Sequence, residues 1–133
     1  MTTSDLPAAE GQPDVSSEGT EAPFDDVITL STSTDEDGVV TVKVVGEVDT
    51  FTAPVLRSTL DGQLEGSPRE LVIDLSGVQF LGSAGLAVLV ETQKSARSRE
   101  VALRLIATTR AVTRPLEVTG LIDLFTIADS TAR

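Results

Sequence analysis

The sequence has no cysteine and no histidine. A disulfide framework, a thiolate nucleophile, a Ser-His-Asp triad and a Cys/His zinc site are therefore all excluded. Tryptophan and tyrosine are absent as well, and aromatics make up only 3% of the chain. With 40% hydrophobic residues, the core is expected to be Val, Leu, Ile and Ala with a few Phe. No run of about 18 apolar residues exists to span a membrane. The first residues, MTTSDLPAAEG, lack the basic and apolar regions of a signal peptide, so the cytoplasm is the expected location. Basic residues are scarce, and the net charge is −11 with a pI near 4.2. Nucleic-acid phosphates would be repelled by such a surface. Residues 1–26 hold seven Asp or Glu and no Lys or Arg, leaving −4 of the −11 for the remainder.

At 133 residues the chain suits one domain. Residues 1–25 cannot bury enough apolar surface to offset their ordering entropy, so they read as a disordered acidic tail, a solubilising leader rather than a docking arm. The domain is assigned to residues 26–133. Val27 to Thr32 alternates as a half-buried strand, and Asp37-Gly38 is suited to a tight hairpin turn. Val39 to Val45 follows as its antiparallel partner, with Val40, Val42 and Val44 on one face and Lys43 on the other. Gly46-Glu47-Val48-Asp49 ends the hairpin. Thr52 then suits a helix N-cap, with Pro54 tolerated in the first turn and Leu56, Leu60 and Leu64 forming the apolar stripe.

The most informative stretch is Leu71 to Arg97, LVIDLSGVQFLGSAGLAVLVETQKSAR. Leu71-Val72-Ile73 reads as a strand buried on both faces, interrupted by Asp74 and Ser76-Gly77. Val78, Phe80 and Leu81 make an apolar connection expected to fold back over the domain. Gly82-Ser83-Ala84-Gly85 opens a helix whose apolar face is Leu86, Leu89 and Val90. Ser83 is placed to be its N-cap, a role that stabilises a helix by about 1 kcal/mol. Beyond it, Val101 to Ile106 is a strand, and Thr109 caps a third helix through Val112, Leu116 and Val118 that stops at Gly120. Pro115 lacks the N–H that this helix needs. Leu124 to Ile127 is a last short strand. The order β-β-α-β-α-β-α-β predicts an α/β fold: a small mixed sheet, an antiparallel hairpin followed by parallel strands, with helices packed against it.

From about Val27 to Ile127 the chain resembles the STAS domain, specifically bacterial anti-sigma factor antagonists. Val45-Gly46-Glu47-Val48-Asp49, Leu71 to Leu89 and Val118-Thr119-Gly120-Leu121 carry the resemblance. It implies that Ser83 matches the serine phosphorylated by cognate kinases, and that Gly85 and Leu86 match the family's Gly-Leu pair. The acidic residue usual before that serine is Gly82 here, the serine that often follows it is Ala84, and the terminal helix is short or absent.

The resemblance implies a partner-binding surface at Glu47, Asp49, Thr50, Gly82, Ser83, Ala84, Gly85 and Leu86. The implied partner is an anti-sigma factor that is itself a serine-protein kinase and holds the ATP, with a phosphatase as a further partner. The unmodified chain would bind that kinase and free a sigma factor; phosphorylation at Ser83 would switch it off. No catalytic residue, metal or cofactor is expected, and neither nucleic acid nor membrane is a partner. Asp49 and Asp74 could suggest paired-carboxylate catalysis, but Asp ordinarily begins turns after apolar strands. Gly82 to Gly85 lacks the G-x-G-x-x-G spacing and the Walker lysine of nucleotide-binding loops. Two alternatives stay open: an unphosphorylated STAS scaffold recruiting a different regulatory partner, and a small-ligand or nucleotide-binding sensor.

Overall fold

The alternating residues at the start of the domain form the expected hairpin. In the computed structural model, which describes residues 27–128, β1 (Ile28–Thr34) pairs antiparallel with β2 (Val39–Val48) in an unbroken register from Ile28↔Gly46 to Thr34↔Val40. The intervening turn is closed by Asp35, whose Oδ1 accepts from the N–H groups of Asp37 (2.8 Å) and Val39 (3.0 Å). Gly38 supplies the positive φ of 81° that this turn requires. Val40, Val42 and Val44 are buried and Lys43 is exposed, as the alternation predicts.

The remaining elements are α1 (Ala53–Glu65), β3 (Glu70–Leu81), α2 (Ser83–Ser98), β4 (Ala102–Ile106), α3 (Arg110–Val118), a 3₁₀ turn (Ile122–Leu124) and β5 (Thr126–Ala128). The sheet order is β1-β2-β3-β4-β5, parallel from β2 onward. Each crossover advances one strand in the same direction, so right-handed connections place the three helices on one face. One core results, joining Val40, Val42, Val44, Leu71, Ile73, Leu75 and Leu105 of the sheet to Leu56, Leu60 and Leu64 of α1, Val88 and Leu89 of α2, and Val112 and Leu116 of α3. Burying each such leucine or valine is worth roughly 1.5–3 kcal/mol. Val39, Val72 and Ile106 sit at the alternate strand positions and form a separate, smaller buried cluster.

Several boundaries differ from the sequence expectation. β3 does not stop at Asp74 but runs to Leu81, so Val78, Phe80 and Leu81 are strand and not a loop folded over the domain. The strand continues because two bulges absorb the polar residues. Between Lys43↔Asp74 and Val45↔Gly77, and again between Gly46↔Val78 and Glu47↔Phe80, β3 carries one residue more than β2. At the first bulge a Cβ on Gly77 would lie 2.8 Å from Val45 Cγ2, so the close approach needs glycine. Asp74 Oδ1 accepts from the backbone N–H (3.0 Å) and hydroxyl (2.7 Å) of Ser76, inside this irregular stretch.

Thr109 does precede α3, and Gly120 (φ 75°) does end it, with the Leu121 N–H donating to the Leu116 carbonyl at 2.9 Å. Pro115 lies inside this helix, and Val118, its last residue, is 73% exposed. The last strand starts at Thr126, after the 3₁₀ turn has used Leu124. A few phenylalanines were expected in the core; among the described residues Phe125 is buried at 8% exposure, while Phe51 and Phe80 are exposed. The acidic segment 1–25 and residues 129–133 lie outside the described residues.

Candidate docking site at the start of the second helix

Parallel strands deliver their C-terminal ends to one edge of the sheet, and loops at that edge commonly carry function in open α/β folds. Here β2 ends at Val48 directly beside Leu81 of β3. The Gly82 N–H donates to the Val48 carbonyl at 2.9 Å, tying the start of α2 to the β2–α1 turn. Gly85, in the first turn of α2, completes the seam. A Cβ there would lie 2.6 Å from both Leu81 Cδ1 and Val48 Cγ1, inside van der Waals contact. Glycine at this position therefore lets the helix settle on the two strand ends.

The N-cap of α2 is Gly82 and not Ser83. Gly82 is extended (φ −91°, ψ −177°), and its carbonyl accepts the first helical bond from the Leu86 N–H at 3.0 Å. Because β3 runs to Leu81, a single residue separates strand from helix, and Ser83 becomes the first helical residue. Its side chain is exposed and no side-chain cap bond is made. The hydroxyl is thus held at the positive end of the helix dipole and left to solvent.

On the other side of the seam, Asp49 organises the turn. Its Oδ1 accepts from the Phe51 N–H (2.9 Å) and Thr52 N–H (3.0 Å), while its carbonyl accepts from the Ala53 N–H (2.8 Å). Thr52, 5% exposed, does not cap α1 through its side chain, as its position had suggested. Its hydroxyl accepts from the Asp49 N–H (2.9 Å) and donates back to the Glu47 carbonyl (2.8 Å). Gly46, with φ 116°, allows the Val27 carbonyl to approach so closely that a Cβ would be 2.3 Å from it.

The residues singled out from the sequence are therefore brought together, in layers. Thr50 and Ser83 are exposed; Glu47, Asp49, Gly82 and Ala84 are half-buried; Gly85 and Leu86 are buried and serve as the seat of the helix. Among the described residues no group of three or more Asp or Glu is placed to hold a metal ion. No described helix is long and apolar enough to cross a membrane.

The family model of the STAS domain matches residues 31–133. The chain belongs to the STAS-domain family. It is 35% identical over 100 residues to the anti-sigma-F factor antagonist RsfB of Mycobacterium tuberculosis, covering 75% of this chain and 80% of that protein. It is 30% identical over 99 residues to the anti-sigma-B factor antagonist of Staphylococcus aureus, covering 74% and 92%. The crystal structure of an anti-sigma factor antagonist from Mycobacterium paratuberculosis superposes with a TM-score of 0.75 at 39% identity, covering 84% of this chain and 92% of that one. These names are those of regulatory antagonists and not of enzymes.

The STAS fold of this chain shows residues at the site that sequence reasoning missed. Phe51 is 77% exposed in the Asp49 turn, and Phe80, paired with Glu47, is 51% exposed with its ring against Gly82. A Cβ at Gly82 would meet that ring at 3.0 Å. A phenylalanine among the polar residues of a turn, as Phe51 is in Asp49-Thr50-Phe51-Thr52, was the one available signal.

Proposed function

We propose that this chain is an anti-sigma factor antagonist whose unmodified form binds an anti-sigma factor that is also a serine kinase, so releasing a sigma factor. The observation that carries this reading is the Ser83 hydroxyl: exposed, uncommitted to capping, and fastened beside the β2–α1 turn by the Gly82–Val48 bond. The kinase supplies ATP and the catalytic groups. A phosphate on Ser83 faces the N–H groups that begin α2, so the domain stays folded when modified. It acts outward, adding about −1.5 to −2 charges to the docking face. A phosphatase that removes it returns the chain to its binding form.

Titration calorimetry against the cognate anti-sigma factor, with mass spectrometry after kinase treatment, tests the switch. Ser83→Ala binds like the unmodified chain and no longer responds to kinase and ATP. An uncompensated charge in a closed interface costs about 3–5 kcal/mol, so phosphorylation lowers affinity by roughly two to four orders of magnitude. Ser83→Glu shifts affinity in the same direction by less. If Ser83→Glu binds as tightly as the parent and Ser83 takes up no phosphate, the switch is refuted and a plain STAS scaffold remains.

A further inference from the structure

The two edges of the sheet are not alike. β5 is three residues long, which leaves little for another chain to pair with. β1 runs for seven residues, Ile28–Thr34, in a register without a bulge, and it holds neither proline nor a charged residue. Short length, bulges, prolines and charges are the ordinary guards of a sheet edge, and β1 has none of them. Ser31 to Thr34 are exposed, so no helix shields that half of the strand. The hydrogen bonds to β2 tell which backbone groups stay open. The Val27 carbonyl accepts from the Glu47 N–H at 3.3 Å, and the Asp35 N–H donates to the Val39 carbonyl at 3.0 Å. In an antiparallel pair such bonds recur at every second residue, so Thr29, Ser31 and Ser33 bond to β2. The N–H and C=O groups of Ile28, Leu30, Thr32 and Thr34 therefore point away from the sheet, where no strand pairs with them among the described residues.

We infer that β1 accepts an extended segment of another protein as a further strand of the sheet, and that this segment carries lysine or arginine at its ends. In strand addition the main-chain bonds supply affinity and the side chains supply the choice of partner. Here the ends of the edge are acidic. Glu47 is bonded to Val27 at one end, and Glu36 and Asp37 stand exposed in the turn at the other. Asp25-Asp26 closely precede the strand in sequence. The cations nearby are Lys43, opposite Ser31 in mid-strand, and Arg69, whose Nη1 donates to the Asp37 carbonyl at 3.5 Å. The same charges disfavour a second copy. Antiparallel self-pairing would lay the Ile28 end of each chain against the Thr34 end of the other, acid on acid, between chains of net charge −11. β2 lies between this edge and the strand that leads to Ser83, so the inference does not depend on the phosphorylation switch.

The test uses the full chain and a synthetic peptide of alternating valine and threonine with lysines at both ends. A peptide with glutamates in place of the lysines is the control. Amide hydrogen exchange is followed by NMR. The free chain should exchange quickly at Ile28, Leu30, Thr32 and Thr34 and slowly at Thr29, Ser31 and Ser33. The lysine peptide should slow the first set by at least about tenfold, and bind at least about tenfold more tightly than the glutamate peptide at low salt. Thr32→Pro removes an outward N–H and spares the ladder to β2, so it should melt near the parent temperature and lose the peptide. Should that variant fail to fold, Glu36→Lys combined with Asp37→Lys, both in the exposed turn, should bind the glutamate peptide more tightly than the parent does. Equal binding of the two peptides by the parent overturns the inference, as does unchanged exchange at the outward set with the lysine peptide at millimolar concentration. Slowing of those amides that grows with protein concentration in the absence of peptide also overturns it, because the occupant would then be a second copy.

Discussion

Gly85 offers the sharpest test of how the site is assembled. Its missing Cβ would lie 2.6 Å from Leu81 Cδ1 and Val48 Cγ1, and 3.2 Å from Val48 Cβ. Carbon atoms at optimal contact sit about 3.5–4.0 Å apart, so Gly85→Ala demands a shift of about 1 Å. Leu81 can rotate, but Val48 is β-branched, fully buried and part of the sheet, and it has little freedom to yield. Overpacking of this kind costs about 1–3 kcal/mol, while the better helix propensity of alanine returns at most about 1 kcal/mol. A net loss of about 1–2 kcal/mol is expected, which lowers the melting temperature by roughly 4–8 °C for each kcal/mol. Urea denaturation and a thermal melt measure it. The same shift lifts the start of α2 from Val48, so the affinity for the anti-sigma factor should fall as well. A variant that melts at or above the parent temperature and binds equally well would show that the helix is not seated through this glycine.

Two further perturbations probe neighbouring parts of the argument. Thr52→Val removes the hydroxyl that joins Glu47 and Asp49 and leaves part-buried backbone groups without that partner, so denaturant titration should show a loss of about 1 kcal/mol. Pro115→Leu restores a helical N–H at the middle of α3, which begins at Arg110; since an interior proline costs roughly 3 kcal/mol in a helix, the variant should be more stable in the same titration, and a loss would mean the ring itself is a needed packing element.

Much of this fold was legible because its signals are local. The alternation of Val39 to Val45, the Asp37-Gly38 turn, the leucines at Leu56, Leu60 and Leu64, and the stop at Gly120 each state a backbone geometry within a few residues. The site segments were legible too, since Glu47 to Thr50 and Gly82 to Leu86 fall at a strand end and a helix start. Their depth was not. Gly85 and Leu86 were grouped with Ser83 as contact residues, yet they are buried, and only the position of Val48 and Leu81 beneath the helix reveals why.

The sequence by itself determined the order of the strands and helices and the exclusion of cysteine and histidine chemistry, because composition and periodicity act over short distances. The tertiary structure decided the rest. The bulges carry β3 past Asp74 because β2 offers a partner as far as Val48, and that length makes Gly82 the cap and leaves the Ser83 hydroxyl exposed. Phe80 carries no mark in the sequence that separates it from the buried Phe125. Whether a phenylalanine meets the core or the solvent depends on where the sheet ends, and that is fixed by pairing between strands distant in the chain.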